Sequence, residues 1–291
     1  MCERTRRSVI TTNNGAPRGE SPSILAKAFD LLWAFDASHR VMTLTELARA
    51  ADLPKSTVHR LLTRLVELDV VEHIDEGYRV SVRLARLASF APANLMRELA
   101  LPHMARLHQW FGQTVALGVL RDFDVVVLDQ VGSLEWHAER VLVGARVPAT
   151  SAALGKVLLA WDPRDALETA LPRPLPAMTP ASITDPEVLM DQLRRVRADN
   201  LARQFDETRT GIAGIASAVI IQGEAVGALG LIYPSSARLH TQASHALRST
   251  AARLAIEIRD TLAASGHERR WMPGREVGLP GSAGVDQHGI T

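Results

Sequence analysis

The sequence has very little cysteine, no excess of either charge and no long apolar run. Cys2 is the single cysteine among 291 residues, which excludes an intramolecular disulfide framework and any thiolate-based zinc finger. Lysine and arginine number 33 against 32 aspartates and glutamates, a net charge of +1. Any surface that meets nucleic acid must therefore be local. No uninterrupted apolar stretch approaches the ~20 residues of a membrane span, so we expect no membrane partner.

The N-terminal segment carries charges but no apolar core of the kind that a secretory signal needs. The scarcity of cysteine fits a reducing compartment, and the two features together predict a cytoplasmic protein. A chain of this length is expected to form two domains plus tails. Its composition, 46% hydrophobic and 22% charged, is ordinary for a globular protein.

Both ends of the chain are polar and lack periodicity. Residues 1–20 contain four arginines among Thr, Asn and Gly. They predict a disordered tail, with a basic arm that reaches DNA as the alternative. Residues 266–291 contain six Gly and two Pro, which is typical of a second disordered tail.

Residues 21–83 follow the pattern helix, helix, turn, helix, hairpin. Apolar residues recur at helical spacing in "ILAKAFDLLWAF", and Thr43 or Thr45 is a candidate cap for a short second helix. Pro54 stands where a helix accepts proline best, in the first turn of the third helix. The sequence Asp75-Glu76-Gly77 marks a hairpin turn. This order predicts a winged helix-turn-helix, in which the third helix is presented to the DNA major groove.

The third helix has an unusual polar face. No acidic residue occurs from Pro54 to Val66, although residues 1–83 contain 12 basic and 11 acidic residues. A solvated helix face usually mixes both signs of charge, so the absence of acids here is selective. Hydroxyls, an imidazole and cations can bind phosphates or base edges, and an arginine can pair bidentately with guanine. The predicted DNA-binding residues are Lys55, Ser56, Thr57, His59, Arg60 and Arg64.

The remaining chain predicts a linker helix over 84–99 and an α+β domain over 100–265. In the latter, the segments "TVALGVL", "DVVVLDQV" and "RVLVGARV" have strand character, and "IASAVIIQGEAVGALGLIY" predicts a hairpin. Helices are predicted for "SAALGKVLLAW", "PEVLMDQLRRVRADN" and the segment 241–264. Helices mixed with hairpins indicate a largely antiparallel sheet.

No set of residues forms a catalytic or metal-binding pattern. The stretch "SAALGKVLLA" lacks the first glycine and the final hydroxyl of a phosphate loop, so Gly155 and Lys156 are expected to begin a helix that borders a ligand pocket. Asp206 and Glu207 are neighbours in a predicted loop, where a solvated pair is expected. We therefore predict no catalytic site, no metal and no cofactor.

The segment "LTELARAADLPKSTVHRLLTRLVELDVVE", followed by a tyrosine-containing wing, resembles the DNA-binding half of the IclR family of bacterial transcription regulators. The second block is similar to that family's effector domain through "TVALGVL", "PATSAALGKVLLA", "SITDPEVL", "GIAGIASAV" and residues 227–238. The resemblance covers about residues 22–262. It implies a winged helix, a linker helix and a GAF-like effector domain that binds a small molecule. It also implies homodimers, often paired into dimers of dimers, on a double-stranded DNA operator.

The same resemblance assigns effector-binding positions. Family pocket positions fall at Trp136, Val147, Ala153, Leu154, Gln204, Ile212, Gly214, Gly230 and Ile232. Several of them are aliphatic here where the family tends to have acidic, thiol or hydroxyl groups, and Thr150 replaces a common histidine. A pocket with one aromatic and few polar groups is expected to favour an apolar or aromatic effector. Thr150, Ser151 and Gln204 are candidates to fix a carbonyl or hydroxyl, and Arg146 to accept a carboxylate.

Three functions remain open at this point. The chain is either a ligand-responsive transcription factor, a constitutive DNA-binding regulator whose second domain only oligomerises, or an enzyme with an appended DNA-binding module. The third lacks any visible acid, base or nucleophile set. The operator, the effector and the choice between repressor and activator are not encoded in any motif.

Overall fold

A computed structural model describes residues 23–36, 38–132, 143–162 and 167–265. The two tails predicted at the ends, and Trp136, lie outside these residues. Contacts within the chain separate it into two units, with the division between Leu95 and Met96. The domain limits expected at 83 and 99 bracket this division and stay predictions.

The first unit has the order expected of a winged helix-turn-helix. Its elements are α1 (Ile24–Trp33), α2 (Leu44–Ala50), α3 (Lys55–Glu67), β1 (Val71–Ile74), β2 (Gly77–Val80) and α4 (Arg83–Ser89). Thr43, rather than Thr45, caps α2: its hydroxyl accepts from the Glu46 amide, and the Glu46 carboxylate accepts from the Thr43 amide. This reciprocal capping box defines where the helix begins. Pro54 directly precedes α3 as its N-cap.

A small apolar core holds the three helices together. Leu31 of α1, Leu47 of α2, and Val58 and Leu62 of α3 are each fully buried. Burial of one such side chain is worth about 1.5–3 kcal/mol. Val58, Leu61, Leu62 and Leu65 form the inward stripe of α3, so the polar residues between them face away from the core.

The wing is tied to the loop that precedes α2. Strands β1 and β2 are antiparallel, with Val71 opposite Val80. Met42 and Tyr78 exchange both backbone hydrogen bonds, at 2.9 and 2.8 Å. A Cβ at Gly77 would lie 2.5 Å from the Met42 carbonyl oxygen, and Gly77 has a φ of +141°. Glycine is therefore required at this position of the wing.

The connector contains two helices where one was expected over 84–99. Helix α4 ends at Ser89, and α5 (Pro92–Phe111) begins three residues later. Proline disfavours the helical conformation in the residue before it and lacks an N–H for the helical ladder. Pro92 therefore ends one helix and starts the next, and α5 continues far into the second unit.

The second unit is an α+β domain built on one antiparallel sheet. Its remaining elements are β3 (Thr114–Arg121), β4 (Asp124–Val131), β5 (Arg146–Pro148), α6 (Ala153–Ala160), α7 (Leu167–Ala170), α8 (Pro186–Asp199), β6 (Ala202–Phe205), β7 (Ile212–Ile221), β8 (Glu224–Pro234) and α9 (Ala243–Ser265). The strand order is β5-β4-β3-β8-β7-β6, and each neighbouring pair is antiparallel. The fold class predicted from the sequence is confirmed.

Helices cover both faces of this sheet. On β8, a Cβ at Gly227 would meet Met96 of α5, whereas one at Gly230 would meet Leu154 of α6. Residues three apart on a strand face opposite sides, so α5 and α6 lie on opposite faces. His103 of α5 pairs with Glu257 at 2.9 Å, which places α9 beside α5.

Two strands also differ from the sequence prediction. Strand β6 was not predicted, because a run of only four residues at the sheet edge is too short to show a strand pattern of its own. Strand β5 is only three residues long, and Val143 and Gly144, expected to continue the sheet, form a turn with Gly144 at a φ of +85°. Within the described parts of the chain, no helix is long and apolar enough to span a membrane.

Candidate functional site

Helix α3 presents its predicted polar residues to solvent. Lys55, Ser56, His59, Arg60 and Arg64 are exposed, and Thr57 is half-buried. Pro54, at the N-cap, provides no side-chain acceptor for the amides of the first turn. A helix N-terminus of this kind carries partial positive charge and open N–H groups, which suit a phosphate.

The cations on this face differ in their surroundings. Arg64 pairs with Glu67 at 2.5 Å, and a surface pair of this kind contributes little stability. Lys55 and Arg60 form no ion pair with any residue that the structure describes. These two charges are thus available to an anionic partner, whereas Arg64 would have to leave Glu67 first.

The candidate effector residues of the second unit converge on the first turn of α6. A Cβ at Gly214 would lie 3.6 Å from the Gln204 side-chain nitrogen and 3.8 Å from the Ala153 Cβ, and one at Gly230 would lie 3.1 Å from Leu154. Strand register adds Ile232, which lies opposite Gly214. Small residues on β7 and β8 therefore let the first turn of α6 pack closely against the sheet at this point.

Two further candidates lie at the edges of this group. Val147 lies on the short strand β5, is half-buried and pairs with Val125 of β4. Ile212 begins β7, and its carbonyl accepts a 3.2 Å hydrogen bond from the Gln204 amide. Trp136, the remaining candidate, lies outside the described residues.

The polar candidates are not equivalent. The Ser151 hydroxyl donates to the Pro148 carbonyl at 3.2 Å, and the Gln204 oxygen accepts from the Glu207 amide at 3.1 Å. Thr150 is only 2% exposed, and its hydroxyl has no partner among the described residues. An unpaired buried hydroxyl is costly, so Thr150 is the polar group best suited to receive a ligand.

Arg146 is already engaged. Its Nε donates to Asp124 at 2.9 Å, and it also approaches Asp122 at 3.5 Å. A ligand carboxylate would have to compete with both aspartates for this guanidinium. The suggestion that Arg146 accepts a carboxylate is therefore weakened by its geometry.

The sequence interpretation missed a buried ion pair. The Lys156 ammonium lies 2.6 Å from both carboxylate oxygens of Glu207. Lys156 is fully buried and Glu207 is 7% exposed, so the expectation of a solvated Asp206–Glu207 pair is wrong for Glu207. Burial lowers the pKa of Lys156, and the hydrogen bond and charge of Glu207 oppose this shift.

A sequence signal for this pair existed in α6. Lys156 stands among Ala153, Leu154, Val157 and Leu158, all of which are buried. Lysine is almost never fully buried without a partner, so a carboxylate near it was to be expected. A Cβ at Gly155 would lie 2.2 Å from the Ala149 backbone, which explains how closely α6 approaches the preceding turn.

Comparison with known proteins covers both units. Residues 24–75 match the IclR helix-turn-helix domain, and residues 92–258 match the C-terminal domain of the bacterial transcriptional regulator IclR. The chain is 30% identical to the HTH-type transcriptional regulator TtgV of Pseudomonas putida over 67% of its own length and 75% of that protein. It is 31% identical to the HTH-type transcriptional regulator KdgR of Escherichia coli, over 74% and 84% respectively.

A solved structure is also similar. An IclR homologue from Microbacterium hydrocarbonoxydans, in complex with 4-hydroxybenzoate, aligns with a TM-score of 0.73 and 28% identity, over 82% of this chain and all of that one. The relatives with assigned roles are transcriptional regulators and not enzymes. The helix-turn-helix with its exposed cations, the antiparallel effector domain and these matches lead to one conclusion: the chain belongs to the IclR family of bacterial DNA-binding transcriptional regulators.

Proposed function

We propose that this regulator binds its operator through α3 and that an apolar or aromatic effector, bound at the first turn of α6, modulates that binding. The observation that carries the effector proposal is the buried, unpaired hydroxyl of Thr150, which lies in the turn before α6, close in sequence to the helix turn that packs against Gly214 and Gly230. A single unpaired polar group among apolar neighbours suits a largely apolar molecule with one carbonyl, hydroxyl or carboxylate.

The charges near this site support the same ligand class. Lys156 is neutralised by Glu207, and Arg146 is paired with Asp124. A small molecule with several negative charges would have to break these pairs to find a cation. The relative solved with 4-hydroxybenzoate has a ligand of the proposed class, which makes that compound a suitable first probe.

The test is thermal unfolding of the full chain with and without 4-hydroxybenzoate. Binding at 100 times the dissociation constant adds about 2.7 kcal/mol of stability, and benzoate and the aliphatic acid pyruvate serve as comparison ligands. A higher Tm with the aromatic acids than with pyruvate supports the proposal. No shift with any aromatic acid, together with intact operator binding, would favour a constitutive regulator whose second domain only oligomerises.

We propose further that the protein binds DNA as a homodimer or a dimer of dimers. One recognition helix covers few base pairs, and a symmetric pair covers two half-sites. Helix α1 exposes a stripe at four-residue spacing, with Leu25 70%, Phe29 55% and Trp33 65% exposed. An apolar stripe of this size on a single chain is typical of an interface.

Sedimentation velocity of the full chain tests this assembly. We expect a dimer or larger species at micromolar concentration, and a Phe29→Glu variant that dissociates at that concentration because it places a charge in the stripe. Leu68→Glu, an equally exposed apolar position outside α1, is the control. A monomeric wild type that still binds its operator tightly would refute the assembly. Because the operator is chromosomal DNA, we also place the protein in the cytoplasm.

A further inference from the structure

We propose that the Lys156–Glu207 ion pair is a latch that holds segment 206–211 against α6, and that closure of this latch sets the affinity of the effector site. The first part stands on the ligand-free geometry alone. The second rests on the proposed effector function. Lys156 lies on the second turn of α6, and segment 206–211 connects β6 to β7.

The ion pair joins the segment to α6 through charge-assisted hydrogen bonds. Both Glu207 oxygens lie 2.6 Å from the one ammonium, and neither residue has appreciable contact with solvent. Removal of one member of a buried pair leaves an uncompensated charge, whereas replacement of both by apolar residues of similar size is often neutral. Stability alone therefore does not require charges here.

Neutral hydrogen bonds also hold the segment. The Thr208 hydroxyl donates to the Ser151 carbonyl at 3.3 Å. On its other side, Thr179 donates to the Asp206 carbonyl and Ser182 to the Glu207 carbonyl, each at 2.7 Å. Neutral bonds of this kind are weaker than charge-assisted ones.

The latch shares residues with the candidate effector site. Gln204 accepts from the Glu207 amide and donates to the Ile212 carbonyl, so its one side chain joins both ends of the segment. The same side chain lies beside Gly214, and Ser151 receives the Thr208 bond next to Thr150. A molecule bound beside Gly214 and the first turn of α6 would thus contact groups that the closed latch positions.

The first experiment uses no ligand. Lys156→Met and Glu207→Met are made singly and together in the full chain. Each single variant should lower the Tm by about 6–20 °C, because one buried charge loses its partner. The double variant should recover most of this loss. It then provides a folded protein without the latch.

Hydrogen exchange of this double variant tests whether the ion pair holds segment 206–211 in place. In the wild type, the amides of Glu207 and Gly211 are bonded to Gln204 and Asp206. If the pair is a latch, peptides covering 206–211 should exchange at least about tenfold faster in the double variant, while peptides from β7 stay unchanged. Equal exchange in both proteins would overturn the latch.

A matched control removes another pair of the same unit. Arg97 and Asp129 are joined at 2.6 Å, and Asp129 is buried. The variant Arg97→Met with Asp129→Asn should leave exchange of segment 206–211 at the wild-type rate. Faster exchange in this control as well would mean that any lost pair loosens the unit, and would count against a specific latch.

The second experiment titrates 4-hydroxybenzoate into wild type and double variant by calorimetry. We expect at least about fivefold weaker binding to the double variant, with unchanged affinity for operator DNA measured without the probe. Equal affinities for the probe would refute the role of the latch in binding. If the wild type binds no probe, the proposed effector class fails at that step, and hydrogen exchange still decides whether the latch exists.

Discussion

At the residue scale, the proposed DNA and effector binding depend mainly on two exposed cations and one buried hydroxyl. Lys55 and Arg60 lie on the solvent face of α3 without ion-pair partners among the described residues, and Thr150 is buried without a hydrogen bond. Each group would gain a favourable contact from a partner, which would be a phosphate, a base edge or a ligand oxygen. Substitutions at these positions therefore separate DNA binding from effector binding.

Arg60→Ala and Lys55→Ala should weaken DNA binding in different ways. If Arg60 contacts a base bidentately, its loss should cost about 1–3 kcal/mol on the operator and relax sequence preference. Loss of a phosphate contact at Lys55 should weaken all sequences alike and reduce the salt slope by about one unit. Fluorescence anisotropy against operator and scrambled DNA measures both, with the exposed Arg194→Ala on α8 as control. Unchanged affinity in both variants would refute the assignment of α3.

Thr150→Val should affect the ligand and not the fold. Valine has nearly the same shape and removes a hydroxyl whose burial without a partner costs about 1–3 kcal/mol. The ligand-free Tm should therefore stay constant or rise, while the affinity for 4-hydroxybenzoate falls. Differential scanning calorimetry and a ligand titration measure the two quantities. A lower ligand-free Tm would show that the hydroxyl has a structural partner after all.

At the element scale, the winged helix was predictable and parts of the second unit were not. Thr43 and Pro54 are local signals that mark helix starts, because each accepts backbone hydrogen bonds from the helix that it begins. The break before Pro92 was visible in principle, because proline restricts the residue before it. Strand β6 is a strand because it pairs with β7, and such tertiary pairing has no local sequence signal.

The candidate functional residues divide in the same way, into those with a local sequence signal and those without one. The polar face of α3 follows from helical periodicity, so its residues were found by counting along the chain. Glu207 meets Lys156 across 51 positions of sequence, and no periodicity relates the two. The convergence of Gly214, Gly230 and Ala153 likewise depends on sheet register, so those positions came from the family resemblance.

The capping box of α2 should give a pH-dependent contribution to stability. Hydrogen bonds from the amide and hydroxyl of Thr43 hold the pKa of Glu46 below its ordinary value. A carboxylate with a lowered folded pKa stabilises above its unfolded pKa, and the stabilisation is lost as the pH falls through the folded value. Glu46→Gln should thus lower the Tm at pH 7 but have less effect below about pH 4. A pH-independent difference would refute the role of the charge.

At the scale of the whole molecule, a net charge of +1 makes DNA binding depend on a local arrangement of cations. General electrostatic attraction is small for such a chain, so in the proposed dimer α3 and its symmetric copy would have to provide both affinity and register. In the proposed function, the effector domain regulates by changing how that pair of helices meets its operator. The same protein must therefore both bind its operator and change that binding in response to the effector.

The most direct test is the change in operator affinity caused by 4-hydroxybenzoate, measured by anisotropy for wild type and Gly214→Val. Valine at 214 would occupy the space next to Gln204 and Ala153, far along the chain from α3. We predict a clear effector-dependent shift for the wild type. We predict no shift for Gly214→Val, whose operator affinity without effector should stay within about twofold of wild type, a difference below about 0.5 kcal/mol. An equal shift in both proteins, or none in the wild type, would contradict the account.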